Sequence, residues 1–422
     1  MPDGGSTASP PLDDATPHAG RSTPAGVAAV DGALGTARAH LAALAREPRP
    51  AGSAAEARAR AYAAGVLTRA GYRVREESFT YSAVVGRYGA LAGGAVSLAV
   101  LLGAAYAGVR DQPEVAGAAL LLSLVTLAAA GGWLSHDGVR RLPLMRRASV
   151  NLVAEPSRGA DGADELPRVW LVAHLDSKSQ PVAMTLRVAG VTALAAAWVG
   201  ALALAAVHGP GWLDGAHAQR LWPVIALLAV FGAIPVMLSV VGARSAGALD
   251  NASGVASVLV AAEELAASGA VRDDGTTART APVGVLLTSA EELALAGAHA
   301  WATAWAAAGR VPGVALNCDG VDDRGPLTLL RGGYFPYVLQ SAVRHAAPDG
   351  RIARLPPGVL VDAVALGRAG WDALTVSKGS WRTLGRIHTR RDTLARLAGD
   401  GVPEAAGALA RLARLLAAAG AD

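Results

Sequence analysis

Arg168–Asp176, RVWLVAHLD, is the stretch whose reading decides the fold. Its unbroken apolar run ends in a histidine and an aspartate spaced H-x-D. A short apolar run of this kind is typical of a strand buried on both faces. In parallel α/β sheets the chemistry sits just beyond the carboxyl ends of the strands, where His174 and Asp176 fall. Soon afterwards the chain turns apolar again and stays uncharged from Val188 to Leu213.

The same grammar repeats on either side. YRVREESFTY (72–81) alternates like a strand, and SVNLVAEP (149–156), APVGVLLTSAEE (281–292) and VPGVALNCDG (311–320) read as further strands. Helical spacing marks 33–45, 53–71, 252–268, 293–309 and 401–420. Strands alternating with helices predict an α/β fold, with a mostly parallel central sheet flanked by helices on both faces. Residues 1–30, rich in Pro, Gly, Ser and Thr, read as a disordered tail. That tail has no charged segment followed by an apolar one, so no signal peptide is expected. Residues 31–422 read as a single domain.

Apolar residues make up 52% of the chain and charged residues 17%, against ordinary values of about 45–50% and about 25%. The excess is concentrated in four uncharged runs, Tyr88–Val109, Val115–Ser135, Val188–Leu213 and Leu221–Ala243. Each has roughly the 20 residues of a bilayer crossing. Short polar turns join them in pairs, so two transmembrane hairpins are expected, at about 85–136 and 183–243. The flanks carry Arg87, Arg140, Arg141, Arg146, Arg147, Lys178, Arg187 and Arg244, whereas the turns carry Arg110 and Arg220. By the positive-inside rule this places the polar domain in the cytoplasm, with Lys178 and Arg187 marking the interface. Net charge is +4, with no basic run interleaved with aromatics, so no nucleic-acid partner is expected. The single cysteine, Cys318, excludes a disulfide framework and reads as a small buried packing residue.

Further carboxylates and a second histidine sit at predicted strand-to-loop junctions: Asp250 in ALDNASG, Glu291 and Glu292 in TSAEE, Asp319 in LNCDG and His388 in RIHTRRDT. Such N and O donors suit Zn²⁺ and similar cations. Of two adjacent glutamates, one can hold metal while its neighbour takes a proton from an activated water. Asp392 reads as a helix cap with Thr389, in the pattern T-x-x-D.

These stretches, with HLAALAREPRPAGSAAEARARAYAAGVLTRAGYRV upstream, resemble peptidase family M28, the zinc aminopeptidases and their relatives. The resemblance covers about 33–81 and 149–422, excluding 182–241, with the motifs in family order. It implies a zinc-exopeptidase-like fold and two zinc ions. His174 and Asp319 would hold one ion, Glu292 and His388 the other, and Asp250 would bridge them. Glu291 would be the general base, and Asp176 would orient His174 through its other ring nitrogen. Some relatives place a tyrosine before the last ligand to stabilise the oxyanion, whereas this chain has Ile387.

Asp176 and Asp250 are 74 positions apart (250 − 176), where soluble relatives have a short connection. The hairpins therefore read as insertions into one catalytic domain. The expected protein is a membrane-anchored dinuclear zinc exopeptidase, an aminopeptidase acting on peptides near the bilayer. Two readings compete with it: a non-catalytic membrane scaffold, and a metal-dependent amidohydrolase acting on a non-peptide amide. Residues 323–386, with Tyr334, Phe335 and Trp381, are expected to wall the substrate.

Overall fold

The computed structural model describes residues 24–157, 166–268, 282–332, 337–356 and 359–419. Helix α1 (Pro24–Leu44) begins inside the stretch expected to be a tail, and α2 (Ala54–Arg69) follows. The Ser53 side chain caps α2 by accepting from Glu56 N, as a small hydroxyl residue at that position should. Strand β1 (Tyr72–Ser82) leads directly into α3 (Ala83–Val109), which forms the first hairpin with α4 (Pro113–Trp133). A π turn (Leu134–Gly138) and the short α5 (Val139–Arg141) bring the chain back to β2 (Arg146–Pro156). After β3 (Val169–His174) comes the second hairpin, α6 (Met184–His208) and α7 (Gly215–Met237).

A second π turn (Ala248–Ala252) and α8 (Ser253–Ser268) precede β4 (Val283–Thr288), a 3-10 turn (Glu291–Leu293) and α9 (Ala296–Ala307). Then follow β5 (Val314–Val321), β6 (Leu327–Arg331), α10 (Tyr337–Ala346), β7 (Arg351–Arg354), α11 (Asp362–Arg368) and β8 (Asp372–Lys378). The chain ends with α12 (Trp381–Leu384), a 3-10 turn (Leu394–Arg396) and α13 (Val402–Ala419).

Eight strands form one sheet in the order β1-β2-β4-β3-β5-β8-β6-β7. The central four, β4-β3-β5-β8, are parallel. The pairs β1-β2, β2-β4 and β6-β8 are antiparallel, so the sheet is mixed around a parallel centre.

Strand β3 shows why the apolar run is unbroken. Val169, Leu171 and Ala173 face a core shared with α1, α2, α8, α10 and α13. Trp170 and Val172 face the opposite core, against α9 and α11. Alternate residues point to opposite faces, so a doubly covered strand must be apolar at every position. The second core is built on Trp170, Trp301, Trp305 and Trp371, whose ring centroids lie 4.9–5.4 Å apart. Aromatic pairs at such distances add about 0.5–1.5 kcal/mol each beyond burial.

Both hairpins are closed at their base by the α/β domain. Ser82 pairs with Arg146 in the β1-β2 ladder, and the Ser82 hydroxyl donates to Leu144 O at 2.8 Å. Ser179 and Gly242 exchange two backbone bonds of 2.8 and 2.7 Å. An insertion whose ends meet is tolerated by the domain around it.

Between the hairpins, α3 packs against α7, and α4 against α6. Glycine permits the closest approach: a Cβ on Gly108 would stand 2.1 Å from the Trp222 ring. At the far tips, His208 Nε2 donates to Asp111 Oδ1 at 2.9 Å, tying one hairpin to the other. All four helices are long and apolar enough to cross a membrane. Outward side chains such as Leu122, Val125, Val199 and Phe231 are exposed.

Candidate active site

The strand ends bring the sequence candidates together. His174 closes β3, Asp250 lies in the π turn before α8, and Glu291 and Glu292 follow β4. Asp319 lies near the end of β5, and His388 follows α12. His174 Nε2 is 3.1 Å from Asp250 Oδ1 and 3.8 Å from Asp319 Oδ1. His388 Nε2 is 2.9 Å from Asp250 Oδ2 and 3.3 Å from Glu292 Oε1. Asp250 thus turns one oxygen to each histidine, the placement expected of a bridging carboxylate. Glu291 Oε2 lies 3.9 Å from His174 Nε2.

The backbone is shaped to hold this cluster. Ala290, Ala294, Leu295 and His388 all have positive φ, between 55° and 70°. Non-glycine residues rarely adopt this region, and such strain gathers at functional sites. The Asp250–Asn251 peptide bond is cis.

Each histidine is oriented through its other nitrogen. His174 Nδ1 donates to the Asp176 backbone carbonyl at 3.0 Å, while the Asp176 carboxylate stands 3.6 Å away. That carboxylate instead accepts from the amides of Glu291 and Glu292, at 3.1 and 3.2 Å. Asp176 therefore orients His174 through its backbone and fixes the glutamate turn through its side chain. His388 Nδ1 donates to Gln180 Oε1 at 3.1 Å, and Gln180 N donates back to His388 O at 2.7 Å. In both rings this leaves Nε2 as the inward-facing ligand atom.

Three residues outside the sequence candidates shape the site. Gln180 is one. Asp392 is the second: it caps no helix but accepts from Leu249 N at 2.6 Å and Asp250 N at 3.1 Å, clamping the backbone of the bridging residue. Lys178, expected at the interface, is the third: its ammonium is buried against Glu292 Oε2. Arg187, expected beside it at the interface, lines the cavity that opens on the site. Trp381 lines the cavity as well, whereas Tyr334 and Phe335 lie outside the described residues. Cys318 packs in the core, where burial pushes its thiol pKa up.

The electrostatics separate the two glutamates. Burial pushes Glu291 well above the usual carboxylate range, with Glu292 and Asp319 adding to it against His174. Burial also opposes charge on Glu292, but Lys178 and His388 overcome it and bring its pKa down to about 2. Two neighbouring carboxyls driven apart in this way are suited to different tasks: a proton carrier at Glu291, an ionised ligand at Glu292.

The residues present fit a pair of divalent cations. His174, Asp250 and Asp319 bring ligand atoms within 4.8 Å of one another, as do Asp250, Glu292 and His388. Buried Glu292 Oε1 has no hydrogen-bond partner, while Oε2 is held by Lys178. One oxygen is therefore left for a metal. Burying this many carboxylates beside a single lysine is costly, and bound cations would remove that cost.

A cavity of about 780 Å³ opens on these residues. Its walls include Val85, Gly89 and Ala90 of α3, Met184 and Val188 of α6, and Leu360. Helices α3 and α6 thus supply part of the cavity wall.

Residues 231–413 match the sequence model of peptidase family M28. No curated protein matches the chain by sequence. BSAP, a zinc aminopeptidase from Bacillus subtilis, is similar in structure at 16% identity and a TM-score of 0.50, over 90% of this chain and 94% of that one. LapA from Legionella pneumophila is similar at 12% identity and a TM-score of 0.50, over 93% and 77%. A glutaminyl cyclase from Fimbriiglobus ruber has 14% identity and a TM-score of 0.47, over 96% and 99%. At these identities the likeness speaks to the fold alone.

Proposed function

From a chain that carries peptidase family M28 sequence over residues 231–413, we propose a membrane-anchored dinuclear zinc exopeptidase, an aminopeptidase. The observation that carries this reading is the Asp250 carboxylate, with one oxygen toward His174 and the other toward His388. The two zinc ions, when bound, supply Lewis-acid activation of water and of the scissile carbonyl. His174, Asp319 and Asp250 would hold one ion, and Asp250, Glu292 and His388 the other.

Glu291 takes the proton of the attacking water and returns it to the leaving amine nitrogen. Its raised pKa supports the second role, since a carboxyl with an ordinary pKa is a poor acid at neutral pH. Asp176 keeps Glu291 and Glu292 in register by accepting from both backbone amides. Ile387, where a tyrosine would stabilise the oxyanion, offers no hydroxyl, so that role passes to the metal side of the site.

The four apolar helices, with their outward side chains exposed, support anchoring in a bilayer. The arginines at the hairpin bases support a cytoplasmic catalytic domain. An apolar cavity wall built from α3 and α6 favours one further reading, an amidohydrolase acting on an amide with an apolar chain.

The experiment is metal analysis and turnover on the purified full chain in detergent. About two zinc per chain, cleavage of aminoacyl substrates and loss of turnover in Glu291→Gln with metal retained are expected. Absence of bound metal would support a scaffold instead. Cleavage of acyl amides in place of aminoacyl substrates would favour the amidohydrolase.

A further inference from the structure

A second cavity, of about 590 Å³, shares Lys178, Val241 and Glu292 with the catalytic one. It lies at the base of the first hairpin, lined by Tyr81, Arg87 and Arg147. Arg87 sits in the opening turns of α3, and Arg147 is paired with Tyr81 across the β1-β2 ladder.

The charge there is not balanced from within. Among the described residues, neither Arg87 nor Arg147 has an ion-pair or hydrogen-bond partner, and Arg87 Nε is buried without one. The two carboxylates that line the cavity are already committed. Asp176 accepts from Glu291 N and Glu292 N, and Glu292 Oε2 holds Lys178. Tyr81 is 2% exposed. Burial and the nearby carboxylates Asp176 and Glu56 push its pKa up, so its hydroxyl stays protonated as a donor. Two uncommitted guanidinium groups and a phenol are therefore turned toward one polar cavity.

We propose that this cavity binds a phosphate group through Arg87 and Arg147, with the Tyr81 hydroxyl as an additional donor. Paired guanidinium forks match phosphate oxygens bidentately, and basic pockets beside membrane helices are sites for anionic headgroups. The phosphate can arrive on a lipid headgroup, at the foot of α3, or free in solution. Lys178 lines both cavities, so an anion here offers its ammonium an alternative to Glu292 and links occupancy to the catalytic carboxylates.

The test is thermal unfolding of the full chain in an uncharged detergent, with three additions made separately: inorganic phosphate, short-chain phosphatidylglycerol and short-chain diacylglycerol. A ligand that binds the folded state alone raises Tm, and a rise of about 2–4 °C is expected here. A rise with phosphatidylglycerol alone assigns a lipid headgroup, and a rise with inorganic phosphate as well assigns free phosphate. The rise should vanish in the double variant Arg87→Gln, Arg147→Gln. It should survive in Arg146→Gln, since Arg146 is already bonded to Thr80 and Arg140. Should the double variant not fold, Arg147→Gln, at an exposed position, is expected to raise about tenfold the ligand concentration needed for the same rise, the cost of one charge-assisted bond. An equal rise with diacylglycerol, an undiminished rise in the arginine variants, or no rise with either phosphate compound would overturn the proposal.

Discussion

The candidate site and the interior of the hairpin bundle are both buried, and they reach burial by opposite routes. Under the strand ends, His174, Asp176, Asp250, Glu291, Glu292 and His388 are packed together with almost no exposure. Between the hairpins, the buried cluster is leucine, alanine, tryptophan and valine, from Leu101 to Val236. The first interior is held by directed contacts to charge, and the second by removing side chains so that a neighbour can seat closely, as the Trp222 ring does on Gly108. Charge is gathered where cations could offset its cost. In the bundle, the polar tie between His208 and Asp111 sits at the tips.

Five measurements sharpen that contrast, from the largest expected effect to the smallest. Glu291→Gln keeps the geometry and removes the proton carrier, so turnover should fall by about 10²–10⁴ with bound zinc unchanged. Turnover within tenfold of the parent would sink the assigned role. Trp301→Ala opens the tryptophan core against Trp170, Trp305 and Trp371. It should cost about 3–5 kcal/mol, read in denaturant unfolding of the catalytic domain.

The third concerns Glu56, whose pKa burial and Asp176 raise to about 7 from its ordinary value of 4.5. The folded chain then keeps a proton that the unfolded chain has released. The contribution of Glu56 to stability should be greatest below pH about 4.5, fall as pH rises to about 7, and level beyond. Glu56→Gln should flatten that fall by about 3 kcal/mol at most, measured as unfolding free energy against pH. An unchanged slope would show that other groups set it.

Gln180→Leu should loosen His388 and lower zinc affinity about 10–100-fold, measured by competition with a chelating dye. The smallest effect belongs to the bundle. His208→Ala removes the tie to Asp111 and should cost about 0.6 kcal/mol, with zinc content unaltered. A loss of zinc in this variant would mean that the two interiors are not independent.

The sequence was most readable where one strong pattern acted alone. β1 to β5 stood out because their apolar runs or alternation met no competing signal, and His174, Glu291, Glu292 and Asp319 stood out because they lie at the ends of three of those strands, whereas Asp250 and His388 lie outside the sheet and were read from the motif resemblance. β6 and β8 were not legible: LTLLR and DALTVSK are short and mix apolar with charged residues. Their place comes from pairing with each other and with β5. Gln180 and Asp392 were hidden for another reason. Each acts on a backbone or ring far away in sequence, Asp392 on Leu249 and Asp250 and Gln180 on His388, and no local spacing encodes that. Lys178 looked like a flanking charge because it lies between the metal motif and an apolar run. Its burial against Glu292 depends on how the chain enters the hairpin.

Gly86 carries a mechanical consequence. A Cβ there would stand 2.4 Å from Leu293 Cα, so α3 rests on the backbone just after Glu292 with no side chain between. Side chains act as springs, since rotamers absorb small displacements before backbones move. Here that compliant layer is missing. A tilt of α3 would therefore press directly on the backbone of the turn that carries Glu291 and Glu292.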